Sequence, residues 1–362
     1  MNFKDFDAII DARTPSEYAL DHIPGAVSAP VLDDAERAEV GTLYKKVSPF
    51  EAKKLGGALV AKNVARHVEQ LFGKKDKTWR PLIYCWRGGK RSGAMAHILR
   101  EIGWDAQTLE GGYRAYRRWV VEQLATVPLE MQLVVIHGPT GSGKSRFLAA
   151  LERAGAQVLD LEALAAHRGS VLGGLPGEPQ PSQKWFESQL LAALEKFDRA
   201  RAVFVEGESK KIGELQVPEA LMARMRASRC ITLETALAIR VTLLLDEYRH
   251  FLSDRAALDA QLDCLIALHG RDRISEWKAL AAAGRWREFV ERLLVQHYDP
   301  AYQRSSLRNY PQLASAPVVR IGAAEDVAFD AAARKITDVV RNSGVQPRED
   351  ADVLHGAAPK RA

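Results

Sequence analysis

Eight consecutive residues constrain this chain more than any others: Gly138-Pro139-Thr140-Gly141-Ser142-Gly143-Lys144-Ser145. They follow an apolar run, Leu133-Val134-Val135-Ile136-His137, and precede an amphipathic helical pattern. A loop of this spacing between strand and helix turns its backbone N–H groups, with the helix N-terminus, towards a phosphate or diphosphate. It therefore predicts an α/β domain with a mainly parallel sheet. Gly138, Gly141, Ser142 and Gly143 are expected to form the cradle and Lys144 to neutralise its occupant. Ser145 is expected to offer its hydroxyl to Mg²⁺ where that ion takes part. No Asp ends the strand that normally completes such a site. Val203-Phe204-Val205 runs instead into Glu206-Gly207-Glu208, so Glu206 is the first candidate acid, with Glu208 and Asp160 as alternatives. Arg168 is a candidate contact to diphosphate or to RNA phosphates. No hydrolytic base stands out, so binding a diphosphate substrate and hydrolysing a nucleotide both stay open.

The 362 residues suit two domains. Residues 6–12 read as a buried strand, and Thr14-Pro15-Ser16-Glu17 as a helix start. Residues 33–73 have a helical pattern. Pro81-Leu82-Ile83-Tyr84 reads as a strand that delivers Cys85, a helix is expected from Gly93 to Ile102, and a strand over 106–110. The expected organisation is a parallel-sheet α/β domain over 1–124, a phosphate-loop α/β domain with a helical C-terminal part over 131–341, and a disordered tail over 342–362. Strands are expected in the second domain near 157–160, 202–206, 230–233 and 317–321, with helices from 236 to 302.

Cys85 opens the segment Cys85-Trp86-Arg87-Gly88-Gly89-Lys90-Arg91-Ser92. A thiol between strand and helix faces converging N–H groups, which stabilise its anion. Glycines let the backbone curl, and Arg87, Lys90 and Arg91 add positive charge. Such a setting suits a nucleophilic thiolate. With Asp11-Ala12-Arg13, His22-Ile23-Pro24-Gly25-Ala26 and Glu110-Gly111-Gly112-Tyr113, this loop resembles the rhodanese family. Its spacing of Cys, five residues and Arg-Ser is also that of a phosphatase loop, so the donor it accepts has room for a phosphoryl group.

The remaining cysteines of the three, Cys230 and Cys264, sit in apolar stretches and read as buried small hydrophobes. No CxxC pair occurs, and no disulfide framework is expected. Residues 1–7 lack a long apolar stretch, and no run approaches a membrane span, so a cytoplasmic protein with no membrane partner is expected. A net charge of +5 excludes little. Its clustering, as in Tyr113-Arg114-Ala115-Tyr116-Arg117-Arg118-Trp119, suits phosphates and unpaired bases.

Both loops in this order, together with Arg37–Tyr44, Asp160-Leu161-Glu162, His167–Ser170, Glu206–Gly213 and His297-Tyr298-Asp299-Pro300-Ala301-Tyr302, resemble the tRNA 2-selenouridine synthase family over roughly residues 5–325. The resemblance implies a tRNA carrying a 2-thiolated wobble uridine as substrate. It also implies geranyl diphosphate and selenophosphate as co-substrates, with no tightly bound cofactor and Mg²⁺ as an optional ion. Sulfur would be geranylated first and then replaced by selenium, with Cys85 as catalytic residue, through a selenyl-sulfide on that residue. The Cys85 loop would take selenophosphate and the Lys144 loop the diphosphate. Trp185 and Phe186 are weak candidates for contact with the geranyl chain. A monomer is the default expectation. The competing readings are an ATP-dependent sulfurtransferase or small-molecule kinase, and a nucleotide- or tRNA-sensing adaptor.

Overall fold

The computed structural model describes residues 1–342, apart from 171, 175, 176, 250, 252 and 253. The tail expected to be disordered lies almost wholly outside the described residues.

The first sheet has strands β1 (Ala8–Asp11), β2 (Val27–Ser28), β3 (Pro81–Tyr84) and β4 (Gln107–Thr108), all parallel, in the order β2-β1-β3-β4. β3 is buried along its whole length, which is why it reads as an unbroken apolar run. Helix α1 (Pro15–Leu20) starts at a capping box between Thr14 and Glu17. The helical stretch over 33–73 divides into α2 (Asp34–Lys46) and α3 (Pro49–His67), because Ser48 caps the second and Pro49 fits only its first turn. Helix α4 (Lys90–Ile102) begins directly after Gly89, earlier than the expected Gly93, and α5 is Gly112–Thr126.

The second sheet is built from β5 (Gln132–His137), β6 (Gln157–Leu159), β7 (Ala202–Glu206), β10 (Arg229–Thr235) and β11 (Val318–Ile321), in the order β11-β10-β5-β7-β6 and parallel throughout. Its intervening helices are α6 (Lys144–Arg153), α7 (Leu161–Ala165), α8 (Gln183–Leu194), α9 (Glu219–Ala227) and α10 (Leu237–Glu247). A hairpin of β8 (Lys211–Ile212) and β9 (Leu215–Gln216) was not legible in the sequence, since each strand is a single residue pair. The helical region after α10 has its own apolar cluster, around Leu258, Leu262, Trp277 and Leu294. Within it, Leu294–Tyr298 forms a π-helical turn.

The two sheets do not sit on a loose linker. Residues Val127–Glu130 form a 3₁₀ turn whose Val127 and Pro128 are buried. Helix α5 places Tyr116, Val120 and Leu124 in the same core cluster as Phe186 and Leu190 of α8 and Met225 of α9. Trp185 stacks on His22 with ring centroids 3.9 Å apart, and Arg117 pairs with Glu187. Phe186 is fully buried in this joint. Truncating such a ring to Ala typically costs about 3–5 kcal/mol. Trp185 and Phe186 are thus engaged in joining the domains, and neither lines the cleft above the Lys144 loop.

Cys230 is buried in β10, but Cys264 is exposed, contrary to expectation. Leu262 and Leu265 take the inward positions on either side of it. Among the described residues, no helix is long and apolar enough to cross a membrane.

Candidate functional site

The first loop sits at the C-terminal end of β3. Cys85 is 4% exposed, and the Ser92 hydroxyl donates to its Sγ across 3.2 Å. Burial pushes the thiol pKa up. The Ser92 hydroxyl and the backbone N–H groups of Ser92, Gly89 and Arg87 outweigh burial, so the net shift is downwards. This is the N–H nest that the spacing predicts. The N-terminus of α5 locks the loop from outside: Tyr113 N–H donates to Cys85 O at 2.8 Å, and Arg114 N–H to Trp86 O at 3.1 Å. Gly88, at φ +66°, packs so tightly on the Leu109 carbonyl that a Cβ would overlap it.

Of the basic residues in this loop, Arg87 and Lys90 are exposed. Arg91 is committed to Glu17, with Nη1 at 2.7 Å from Oε2. Burial raises the Glu17 pKa, but the Arg91 hydrogen bond and charge, with the Thr14 N–H, hold it below the ordinary value. Arg91 therefore shapes the loop from a fixed position.

The second loop joins β5 to α6. Gly143, at φ +83°, abuts the ring of Phe329, which leaves no room for a side chain there. Lys144 Nζ donates to the Gly138 carbonyl at 3.3 Å, across the mouth of the loop. Ser145 Oγ donates to Glu162 Oε2 at 3.2 Å. Glu162 shares a hydrogen bond with Glu208, whose pKa is pushed up to about 8 by burial and by the charge of Glu162. Burial raises the pKa of Glu162 as well, so the pair favours keeping a proton between its two carboxyls.

Glu206, the first candidate acid, lies behind this pair. Its Oε1 accepts from Glu162 N–H at 2.7 Å, and burial, reinforced by Asp160 and Glu162, drives its pKa well above the ordinary value. It is an internal support for α7, in a setting that favours the neutral carboxyl. Asp160 caps α7 by accepting from Ala163 N–H at 2.7 Å. Two of the three expected acids, Glu206 and Asp160, are therefore one layer back, whereas the third, Glu208, stands with Glu162 on the cleft wall. Among the described residues, no group of three His, Cys, Asp or Glu is arranged to hold a metal ion.

The cleft above the loop has a volume of about 700 Å³, lined by Lys144, Ser145, Glu162, Arg168, Glu208 and His297 among others. Arg168 is held there by donating to the Glu247 carbonyl and by lying 4.8 Å from the centre of the Tyr248 ring. His297 comes from the π-helical turn and meets His269 at 2.9 Å through Nδ1. Such turns often mark working positions on a helix. A second, apolar pocket adjoins the cleft and shares Thr140, Leu244, Tyr248 and Tyr298 with it. Beyond these it is lined by Phe251, Leu258, Trp286, Phe289, Leu293 and Leu294 among others.

A nest around a thiol lies in one domain, and a glycine-rich loop with Lys144 beside an apolar pocket lies in the other. Residues 1–118 match the rhodanese-like domain, and residues 131–265 match the tRNA 2-selenouridine synthase AAA domain. The tRNA 2-selenouridine synthase of Shewanella halifaxensis is 34% identical over 324 residues, covering 82% of this chain and 87% of that one. The chain belongs to the tRNA 2-selenouridine synthase family. The synthases of Nitrosomonas europaea and Bdellovibrio bacteriovorus are 38% and 36% identical, each over 66% of this chain. Those two matches span 63% and 64% of the relatives' own lengths.

Sequence reasoning missed Glu162, Tyr248 and His297 as residues of the cleft. Glu162 and His297 lie within segments that carry the family resemblance, so a signal was present without a role attached. Tyr248 and the apolar pocket carry no signal, because a helical pattern of Leu and aromatic residues reads as ordinary core.

Proposed function

We propose that the protein converts the 2-thiouridine at the wobble position of a tRNA into 2-selenouridine, in two steps at two loops. The Lys144 loop binds geranyl diphosphate. The uridine sulfur attacks the first carbon of the chain, the carbon–oxygen bond breaks, and diphosphate leaves as the N3 proton is lost. The observation that carries this reading is the apolar pocket opening from the diphosphate cradle through Thr140, Leu244, Tyr248 and Tyr298. A nucleotide kinase has no need of such a pocket at this place. A diphosphate with a hydrocarbon tail needs both halves.

The enclosed apolar space is about 50 Å³. A cavity of roughly 150 Å³ takes benzene, so a ten-carbon chain enters only as the surrounding side chains part. Lys144 and the loop N–H groups would carry the charge of the leaving diphosphate, and Arg168 adds a second cation. Mg²⁺, when bound, would be held by Ser145 and the diphosphate oxygens, and would supply further charge neutralisation.

Selenium enters at Cys85. Selenium in selenophosphate already stands at the selenide level, so forming a sulfur–selenium bond on Cys85 would need a two-electron oxidant. Attack of the Cys85 thiolate on phosphorus needs none: the sulfur–phosphorus bond forms, the phosphorus–selenium bond breaks and hydrogen selenide leaves, after which water takes the phosphoryl group, the sulfur–phosphorus bond breaks, and phosphate and the free thiol result. A loop of phosphatase spacing around a stabilised thiolate suits this step. Selenide then adds at C2 of the geranylated uridine, the carbon–sulfur bond breaks, geranyl thiolate leaves, and N3 regains its proton. A free thiol at Cys85 suits a reducing compartment such as the cytoplasm.

The test is nucleoside mass analysis after incubation with 2-thiouridine tRNA. Geranyl diphosphate alone should give the S-geranyl nucleoside, and later addition of selenophosphate should give 2-selenouridine. ATP turnover with neither product would overturn the reading.

A further inference from the structure

Trp86 follows Cys85 directly, yet its indole is 38% exposed while Cys85 is 4% exposed. Fully burying an aromatic side chain is worth on the order of 2–3 kcal/mol, and the fold forgoes part of that gain here. The ring is nevertheless held in place. It stacks on Tyr113 with centroids 5.4 Å apart and planes 29° apart. Tyr113 is anchored in turn: its hydroxyl donates to Asp21 Oδ2 at 2.6 Å, and the Arg13 guanidinium lies 4.0 Å from its ring centre. Arg13 is locked on Asp11 at 2.6 Å, with both side chains buried. Trp86 is therefore the outer layer of a stack rooted in the core.

Trp86 opens on a groove of about 410 Å³ formed by α5 and the start of α8. Arg114, Arg118 and Lys184 line it, with Arg117, which is paired to Glu187, and the acidic Glu122. Arg114 and Arg118 are exposed and, among the described residues, have no acidic partner. An anchored aromatic face beside unpaired arginines matches what an unstacked base and its phosphates require.

We propose that Trp86 is a stacking platform for an unpaired base of the RNA loop that carries the target nucleotide, while Arg114, Arg118 and Lys184 hold neighbouring phosphates. The need for it follows from the depth of Cys85. Selenide released at a thiol sunk in the floor of its loop meets C2 only of a nucleotide that has left its neighbours' stack. That departure costs a few kcal/mol, and stacking of an adjacent base on Trp86 offsets it. This inference rests on the tRNA-modifying reading and adds to it the place where the loop is prised open.

The experiment compares the full-length protein with Trp86→Ala and Trp86→Phe. Binding of a labelled anticodon stem-loop and of a fully paired RNA duplex of equal length is read by fluorescence anisotropy. Trp86→Ala should weaken stem-loop binding by about 5- to 100-fold and leave duplex binding unchanged, and Trp86→Phe should recover most of the loss. Unchanged stem-loop binding in Trp86→Ala overturns the inference, as does equal loss for the duplex or absence of recovery with Phe. If the unsubstituted protein binds no stem-loop, the tRNA reading fails with it. If that protein binds and Trp86→Ala makes no difference, the platform alone fails.

Discussion

Ser145 donates from Oγ to Oε2 of Glu162 across 3.2 Å, while Glu206 supports the same residue from behind through its backbone N–H. The two acids therefore have different duties. Glu206 is buried, and burial with the nearby Asp160 and Glu162 favours its neutral form by raising its pKa well above the usual carboxyl range. Glutamine copies a neutral carboxyl in shape. Glu206→Gln should keep prenyl transfer within about threefold and stability within about 1 kcal/mol, whereas Glu162→Ala should lower the transfer rate about tenfold. Rates and melting curves of both variants check this. A dead Glu206→Gln would mean that the charged form is the one in use.

Lys144 is the cation nearest the expected diphosphate. Lys144→Ala should reduce geranyl transfer by about 100-fold or more, as loss of one oriented charge donor does. Single-turnover formation of the S-geranyl nucleoside measures it. Selenation of tRNA that has been geranylated beforehand should persist in this variant. An unchanged transfer rate would remove the diphosphate from this loop.

The apolar pocket makes a separable claim. Val290 is half-buried on its wall. Val290→Trp should fill the pocket and raise KM for geranyl diphosphate by about tenfold or more, the effect of losing roughly 1.4 kcal/mol of apolar contact. Inhibition by inorganic diphosphate should stay as it was, since the cradle is untouched. Parallel loss of both would show that the substitution disturbed the loop instead of the tail site.

Both loops were legible because each is a local pattern with a fixed structural setting, strand before and helix after. Cys85 and Lys144 stand where their neighbours in sequence place them. The acids were not legible in the same way. Asp160 and Glu206 both end strands, which is where a metal-binding acid is sought, but burial and capping engage them. Glu162 reaches Ser145 only because α7 turns back over the loop, a tertiary fact with no sequence period. The apolar pocket was hidden for a further reason: Leu244, Trp286 and Leu293 have the spacing of core helices, and nothing in a periodic pattern tells core from a cavity wall. Cys264 shows the reverse error, an apolar-looking segment whose inward positions were already taken by Leu262 and Leu265.

Ser92 gives a test of how the thiol is activated. Its hydroxyl is one of the groups that hold the Cys85 thiol pKa below the ordinary value against burial. Ser92→Ala should move the midpoint of Cys85 alkylation to higher pH, and at neutral pH alkylation should slow several-fold as the thiolate fraction falls. Peptide-resolved mass spectrometry separates Cys85 from the exposed Cys264. Selenation should slow in parallel with alkylation, whereas geranylation should not change.

Acid stability tests the packing behind the phosphate loop. His137 ends β5, is 2% exposed, and its pKa is lowered to about 4 by burial and by the charge of Lys144. His297 is lowered to about 4 as well, by burial, with the charges of His269 and Arg304 adding to it. An unfolded imidazole takes up its proton near pH 6.5, so between that pH and about 4 the unfolded chain binds more protons than the native one. Stability contributed by these neutral rings is complete above about pH 6.5 and falls as pH drops towards 4. At pH 5 the loss from His137 alone should be about 2 kcal/mol. Urea unfolding at pH 7 and pH 5 should show this decline, and His137→Gln, which cannot protonate, should flatten it by a similar amount. An equal decline in that variant would mean that the ring is not held neutral in the fold.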